Sequence, residues 1–342
     1  MAPRASITDV ARLAGVSVGT VSHVLNHPDR VRPATQAKVA RAIEELDFQV
    51  DANARSLVKG GTKTVGVLIP DLTNSLLIAV TLGAESVATE AGLVQLIADT
   101  GGKLEREVKY MDTFITQRAA GMLIALNDDA NFAYLYSHFK GTIPTVVLNL
   151  AVPKELAYSV VSDSEYGGWL AASHLADIGR QRLVFVGGPS GLRQVSQQAE
   201  GYQRAVAERG LSHVRTINAQ SFGRADGYAV GRALASEVKA GLVDGVVCAS
   251  DLQAAGIVEA LRAAGVRIPD QVAIVGYDNS QVAWDSRMPL TTIAPPGDGM
   301  GRAAMELLIA EMGAPHTGPY RSLVLQPTLI ARSTTTSGVR TV

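Results

Sequence analysis

From Thr64 onward the chain alternates short apolar runs with longer amphipathic segments, and few folds accept that order. TVGVLIP reads as a buried strand, residues 74–91 as a helix, LVQLIA as a strand, residues 104–118 as a helix and GMLIAL as a strand. VVLN and VVSD follow, then a helix over 166–178, LVFVGG, helices over 199–209 and 225–239, GVVCAS, a helix over 252–264 and VAIVGYD. Strands that are apolar on both faces belong in a parallel sheet, whose crossover helices cover both sides. The spacing therefore predicts a doubly wound α/β core. About 220 residues of such alternation fit two sheets better than one.

Open parallel sheets hold ligands outside the carboxyl ends of their strands. Polar residues recur at that place: Asp71, Asn74, Ser75, Asp99, Asn127, Asn149, Asp163, Ser250, Asp251 and Asp278. Their recurrence points to a small polar ligand. The same residue types also cap the helix that follows a strand, so each position stays open between the two roles.

The first 61 residues follow another grammar. Ser6-Ile-Thr-Asp9 fits a capping-box start, with Ile7, Val10 and Ala11 at helical spacing behind it. Gly15 breaks that helix in a short turn, where a glycine accepts a positive φ. Ser17 can cap a second helix carrying Val18, Val21, Val24 and Leu25; Pro33 and Thr35 precede a third, striped by Val39, Ile43 and Leu46. Helix, glycine turn, helix is the helix-turn-helix plan. Val16, Val21 and Val24 would bury the second helix against the first and leave Ser17, Val18, Gly19, Thr20 and His23 outward, where a recognition helix meets base edges. A plain helical hairpin has the same spacing. Charge leans the same way: residues 1–63 carry net +3, while the remainder carries −4 within a chain total of −1.

These stretches carry more than geometry. ITDVARLAGVSVGTVSHVLN, VRPATQAKVARAIEELDF, ARSLVKG and TVGVLIPDLTNSL closely resemble the lactose/galactose repressor (LacI/GalR) family of bacterial transcription regulators. The resemblance continues through VVSDSEYGGWLAASHLADIGRQRLVFVGG and CASDLQAAGIVEALRAAGVRIPDQVAIVGYDN into PLTTIAPPGDGMGRAAMELL, over roughly residues 5–335. It implies a helix-turn-helix headpiece at 1–50, a hinge helix and linker at 51–62, and an effector-binding and dimerisation core at 63–342. The core would hold two doubly wound α/β subdomains of periplasmic-binding-protein-like type. The first takes about 63–161 plus 292–325, the second about 162–291 plus 326–336.

The resemblance implies roles residue by residue. Val18, Gly19 and His23 fall where the family reads bases; Ser6, Thr8, Ser17, Thr20, Ser22 and Asn26 fall where it touches the DNA backbone. Asn53, Arg55 and Leu57 fall in the hinge that enters the minor groove, with Leu57 as the wedge between base pairs. For the effector it implies Asp71, Ser75, Leu76, Leu77, Asn127, Asn149, Asp163, Gln198, Phe222, Ser250 and Asp278. Asp278 matches a carboxylate that takes ligand hydroxyls or ring nitrogens, and Phe222 an aromatic platform. Leu76 and Leu77 replace frequent aromatics, Gln198 replaces a common arginine, and Ser250 a common asparagine. A glutamine lacks the forked, permanent charge of arginine, so a neutral or weakly polar effector is expected, with Arg193 or Arg224 as candidates to replace the missing charge.

The expected function is a DNA-binding regulator, most simply a repressor, acting as a homodimer on double-stranded operator DNA. A sugar-like or nucleoside-like small molecule would modulate it, with no cofactor and no metal. The alternatives are a solute receptor of periplasmic type and a regulator controlled by a protein partner. No phosphate-binding loop, nucleophile elbow or metal-ligand spacing argues for an enzyme. No apolar run approaches the ~18 residues of a membrane span, and no secretory apolar stretch follows Arg4. The single cysteine, Cys248, fits a reducing compartment, so the expected place is the bacterial cytoplasm, with nucleoid association when bound.

Overall fold

In the computed structural model the chain divides into two compact units, residues 1–62 and 63–342. The structure describes residues 5–48, 62–126, 129–189, 191–284, 288–314 and 317–336.

The first unit contains α1 (Ile7–Ala14), α2 (Val18–Asn26) and α3 (Pro33–Glu45). The Ser6 hydroxyl accepts from the Asp9 N–H while the Asp9 side chain accepts from the Ser6 backbone, so the expected capping box forms. Gly15 ends α1 in the left-handed region at φ 64°, which lets its N–H reach back to the carbonyls of Ala11 and Arg12. Pro33 opens α3, where its missing N–H costs nothing. A small core of Val10, Ala11, Val21, Val39 and Ala42 fixes the three helices, with Val16, Val24 and Ile43 packed around it.

The second unit holds two six-stranded sheets. The first comprises β1 (Thr64–Ile69), β2 (Val94–Asp99), β3 (Gly121–Ala125), β4 (Thr145–Leu148), β5 (Tyr158–Ser162) and β11 (Ser322–Leu325), in the order β11-β5-β4-β3-β1-β2. The second comprises β6 (Arg182–Gly187), β7 (Ser212–Asn218), β8 (Gly245–Cys248), β9 (Ala273–Tyr277), β10 (Thr291–Ala294) and β12 (Thr328–Ile330), in the order β12-β10-β9-β8-β6-β7. Neighbours pair in parallel except β10 with β12.

Three helix pairs press closely together on the sheets: α4 (Ser75–Glu90) with α12 (Gly297–Gly313), α7 (Ser164–Asp177) with α8 (Arg193–Glu208), and α9 (Arg224–Lys239) with α10 (Asp251–Ala263). At the α7–α8 contact a Cβ on Gly201 would stand 1.7 Å from the Glu165 carbonyl oxygen, so only hydrogen fits there. The remaining helices are α5 (Leu104–Thr116), α6 (Asp129–Phe139) and the short α11 (Gln281–Trp284).

Three expectations change. The helix expected from residue 199 starts at Arg193, because its first turns, RQVSQQ, carry amides in place of an apolar stripe and read as loop. β7 is missed because SHVRTIN is an edge strand with little apolar content. β10 pairs with β9 and β12 in the second sheet, so the crossing back to the first follows Ala294 and not residue 291 as expected.

Gly201→Ala should lower the stability of the core by about 1–3 kcal/mol, the usual cost of forcing a methyl into a closed contact. Urea unfolding followed by circular dichroism checks this; a variant as stable as the parent would show that α7 and α8 can separate freely.

Candidate functional site

α2 is anchored by one face and open on the other. The Ser17 hydroxyl accepts from the Thr20 N–H at 3.1 Å and lies 2.9 Å from the Thr20 hydroxyl, which fixes the first turn. Val21 is fully buried, while Ser17, Val18, Gly19 and His23 are exposed and Thr20 and Ser22 are half-exposed. Asn26 donates to the Ser22 hydroxyl at 3.4 Å, so these two engage each other. Thr8 is exposed. The Ser6 hydroxyl donates its hydrogen to Asp9 at 2.6 Å and is occupied in the capping box. That hydroxyl and the Ser6 backbone N–H hold the Asp9 carboxyl below the usual range, with Arg12 adding its charge from 3.0 Å. His27, unremarked in the sequence, is exposed beside His23 with ring centroids 6.2 Å apart. The hinge residues Asn53, Arg55 and Leu57 lie outside the described residues.

In the core, the carboxyl ends of the two sheets enclose a cavity of about 390 Å³, a size suited to a small molecule. Asp71, Ser75, Leu76, Leu77 and Asn149 line it from the first sheet's side; Gln198, Phe222, Ser250 and Asp278 line it from the second. Asn127 lies outside the described residues. Asp163 does not line this cavity: its carboxylate accepts from the Tyr166 N–H at 2.9 Å as the cap of α7, and it borders a smaller adjoining cavity. Arg193 lines the main cavity, whereas Arg224 points to another face, 3.8 Å from Glu259. Gln194, Tyr277 and Ser162 also line it and were not singled out from sequence. Gln194 sits in the helix start that reads as loop, and its amide donates to the Asn149 side chain across the cleft.

Capping residues and cavity-lining residues coincide at several positions. Asn74 accepts from the N–H groups of Leu76 and Leu77 and still lines the cavity. Ser250 accepts from the Gln253 N–H at 3.2 Å and donates to the Phe222 carbonyl at 2.9 Å, so it holds the loop that carries the aromatic ring. Asp71 accepts from the N–H and hydroxyl of Thr73, which closes the turn after β1.

Behind the cavity lies a buried carboxylate. Asp251 is 1% exposed and accepts from the Thr292 hydroxyl at 2.6 Å, the Ser280 N–H at 2.7 Å and the Ser280 hydroxyl at 3.0 Å. Burial pushes its carboxyl up to about 6, against the pull of these donors and of Arg332. Burial and then the Asp251 charge push the Asp278 carboxyl well above the usual range. Burial likewise raises the Tyr277 phenol, and it raises the thiol of Cys248, which is fully enclosed. The Gln198 Oε1 and Ser162 Oγ atoms are buried without hydrogen-bond partners. Among the described residues no group of three His, Cys, Asp or Glu is placed to hold a metal ion.

Residues 6–51 match the family described as bacterial regulatory proteins, lacI family, and residues 172–335 match the periplasmic binding protein-like domain. The chain is 32% identical over 309 residues to the HTH-type transcriptional repressor PurR of Photobacterium profundum, covering 89% of this chain and 91% of that one. It superposes on the lac repressor dimer bound to operator and the anti-inducer ONPF with a TM-score of 0.84 at 21% identity, over 98% of this chain and all of that one. It superposes on the transcriptional regulator CelR–cellobiose complex with a TM-score of 0.69 at 30% identity, over 97% of this chain and all of that one.

The carboxyls of Asp251 and Asp278 are raised in the fold, so between about pH 4 and 6 the folded chain holds more protons than the unfolded chain. Their contribution to stability therefore falls as pH rises through that window. Asp251 alone accounts for an effect on the order of 3 kcal/mol. Denaturant unfolding at pH 4.5 and pH 7 should show Asp251→Asn with the flatter profile; parallel profiles for variant and parent would refute the assignment.

Proposed function

The chain belongs to the lacI family of bacterial regulatory proteins, and on that premise we propose that it is a sequence-specific transcriptional repressor whose operator affinity is set by a small molecule in the core cleft. It is a regulatory protein and not an enzyme. The observation that carries the proposal is the outer face of α2, where the Ser17 cap presents Val18, Gly19 and His23 to solvent. A valine can meet a thymine methyl and a glycine allows close approach, while the imidazole of His23 is the polar group able to donate to guanine N7 or O6. Thr8, Thr20 and Ser22 supply backbone contacts, and the hinge residues Asn53, Arg55 and Leu57 act in the central minor groove.

The operator is pseudo-palindromic and the protein binds it as a homodimer. The core supports this with an apolar surface around its edge strand. On β2, Val94, Leu96 and Ile97 are exposed, and on α4 Ile78 and Leu82 are exposed, Leu82 to 64%. A patch of this kind on a sheet edge suits a self-complementary two-fold contact. The effector is sugar-like or nucleoside-like. It acts by binding one arrangement of the two subdomains better than the other, which couples the cleft to the operator. The protein works in the bacterial cytoplasm, on the nucleoid when bound. No helix among the described residues is long and apolar enough to cross a membrane.

Selection of operators from random DNA, repeated with a metabolite panel, tests the proposal; recovery of no palindrome would overturn it. His23→Ala should relax preference at one base pair per half-site by about 1–3 kcal/mol. An equal loss on every sequence would make His23 a phosphate contact. Leu57→Ala should weaken specific binding strongly and non-specific binding little, and gel-shift titration against operator and random DNA separates the two.

A further inference from the structure

His27 stands exposed at the C-terminal end of α2, at φ −142° and ψ 59°, with its N–H donating to the His23 carbonyl at 2.8 Å. Pro28 disfavours the helical conformation in the residue before it, so α2 stops there. Gln36 holds the turn that follows by donating to the carbonyls of Pro28 and Val31 at 2.7 and 2.8 Å. The backbone at His27 is thus tied on both sides. Its ring stands edge-on to the exposed His23 ring, with centroids 6.2 Å apart. Among the described residues neither imidazole makes a hydrogen bond or an ion pair.

The charged groups on the elements packed against α2 leave both rings unpaired. On α1, Asp9 and Arg12 pair with each other at 3.0 Å. The turn Pro28–Arg30 carries Asp29 and Arg30, and Arg32 follows it. α3 carries Lys38, Arg41, Glu44 and Glu45. None of these forms an ion pair with either histidine.

A recognition helix meets base edges with its N-terminal residues. His27 lies nine residues beyond Val18, about 13 Å along the helix axis, while the major groove is only about 12 Å wide. A side chain that far along has passed the first bases and reaches the groove wall, where the phosphates are. An imidazole exchanges its proton near neutrality, and a phosphate beside it favours the charged form. Two imidazolium rings at this separation repel each other in the free protein, and a phosphate offsets that repulsion.

We propose that His27 is a further operator contact, a phosphate ligand that makes DNA binding proton-linked. This role rests on the reading of α2 as the recognition helix. Binding takes up a proton at His27, so affinity rises as pH falls from about 8 to about 6.

The test is fluorescence-anisotropy titration of the full-length protein on its selected operator and on random DNA, at pH 6 and pH 8 and constant ionic strength. At pH 6 and 0.1 M salt, His27→Gln should lose about eight-fold in affinity on both DNAs, the worth of one phosphate contact in released counterions. Its slope of log affinity against log salt should become shallower by about one. At pH 8 it should match the unaltered protein closely. His27→Lys, charged at both pH values, should keep at pH 8 the affinity that the unaltered protein loses. A His27→Gln protein with the parent's pH response and salt slope overturns the proposal. So does a loss of equal size at both pH values, or a changed preference at one base pair. Should His27→Gln fail to fold, a His27→Lys protein with the parent's pH response overturns it. Failure of the unaltered protein to select any operator counts against the recognition-helix reading itself, and the role of His27 falls with it.

Discussion

A parallel strand reaches its neighbour only through a crossover, and that requirement organises the core. Each crossover starts the next strand at the same edge, so the carboxyl ends of the parallel strands gather on one side of a sheet. Most of those ends also precede a helix whose first N–H groups need acceptors. Asn74, Asp163 and Ser250 meet that need, and two of the three also face the cavity. The polar lining of the cleft is thus largely a by-product of winding the chain.

A second constraint lies one layer behind the wall of this cleft. Asp251 begins α10, yet it binds the loop after β9 through Ser280 and β10 through Thr292. One buried carboxylate joins three segments that are distant in sequence. It also places its charge beside Asp278, which lines the cavity, and adds to the burial that raises that carboxyl.

The headpiece solves a different problem. Its core is small, so caps and turns matter more to it than to the larger unit. Ser6, Gly15, Ser17 and Pro33 each settle one helix end locally. Gln36 adds a tertiary tie, donating to the carbonyls of Pro28 and Val31 and so holding the turn between α2 and α3. With the helix ends fixed in this way, the outer face of α2 is exposed among the described residues.

The sequence by itself determined the periodic elements. These are the apolar strands, the capped helices of the headpiece and the polar residues at the strand ends, because each follows from patterns within a dozen residues. It also led to the nine cleft residues from Asp71 to Asp278 that the structure brings together, through the resemblance and the strand-end rule. It missed the start of α8, and with it Gln194, because glutamines at a helix start carry no periodic signal. It placed β10 in the wrong half, because which sheet a short strand joins depends on partners far along the chain. Tertiary structure alone decided that Asp163 stays out of the main cavity, that Arg193 and not Arg224 lines it, and that Asp251 backs Asp278. All three turn on distances between residues separated in sequence, and a carboxyl's charge state follows from its burial and neighbours, which no local pattern encodes.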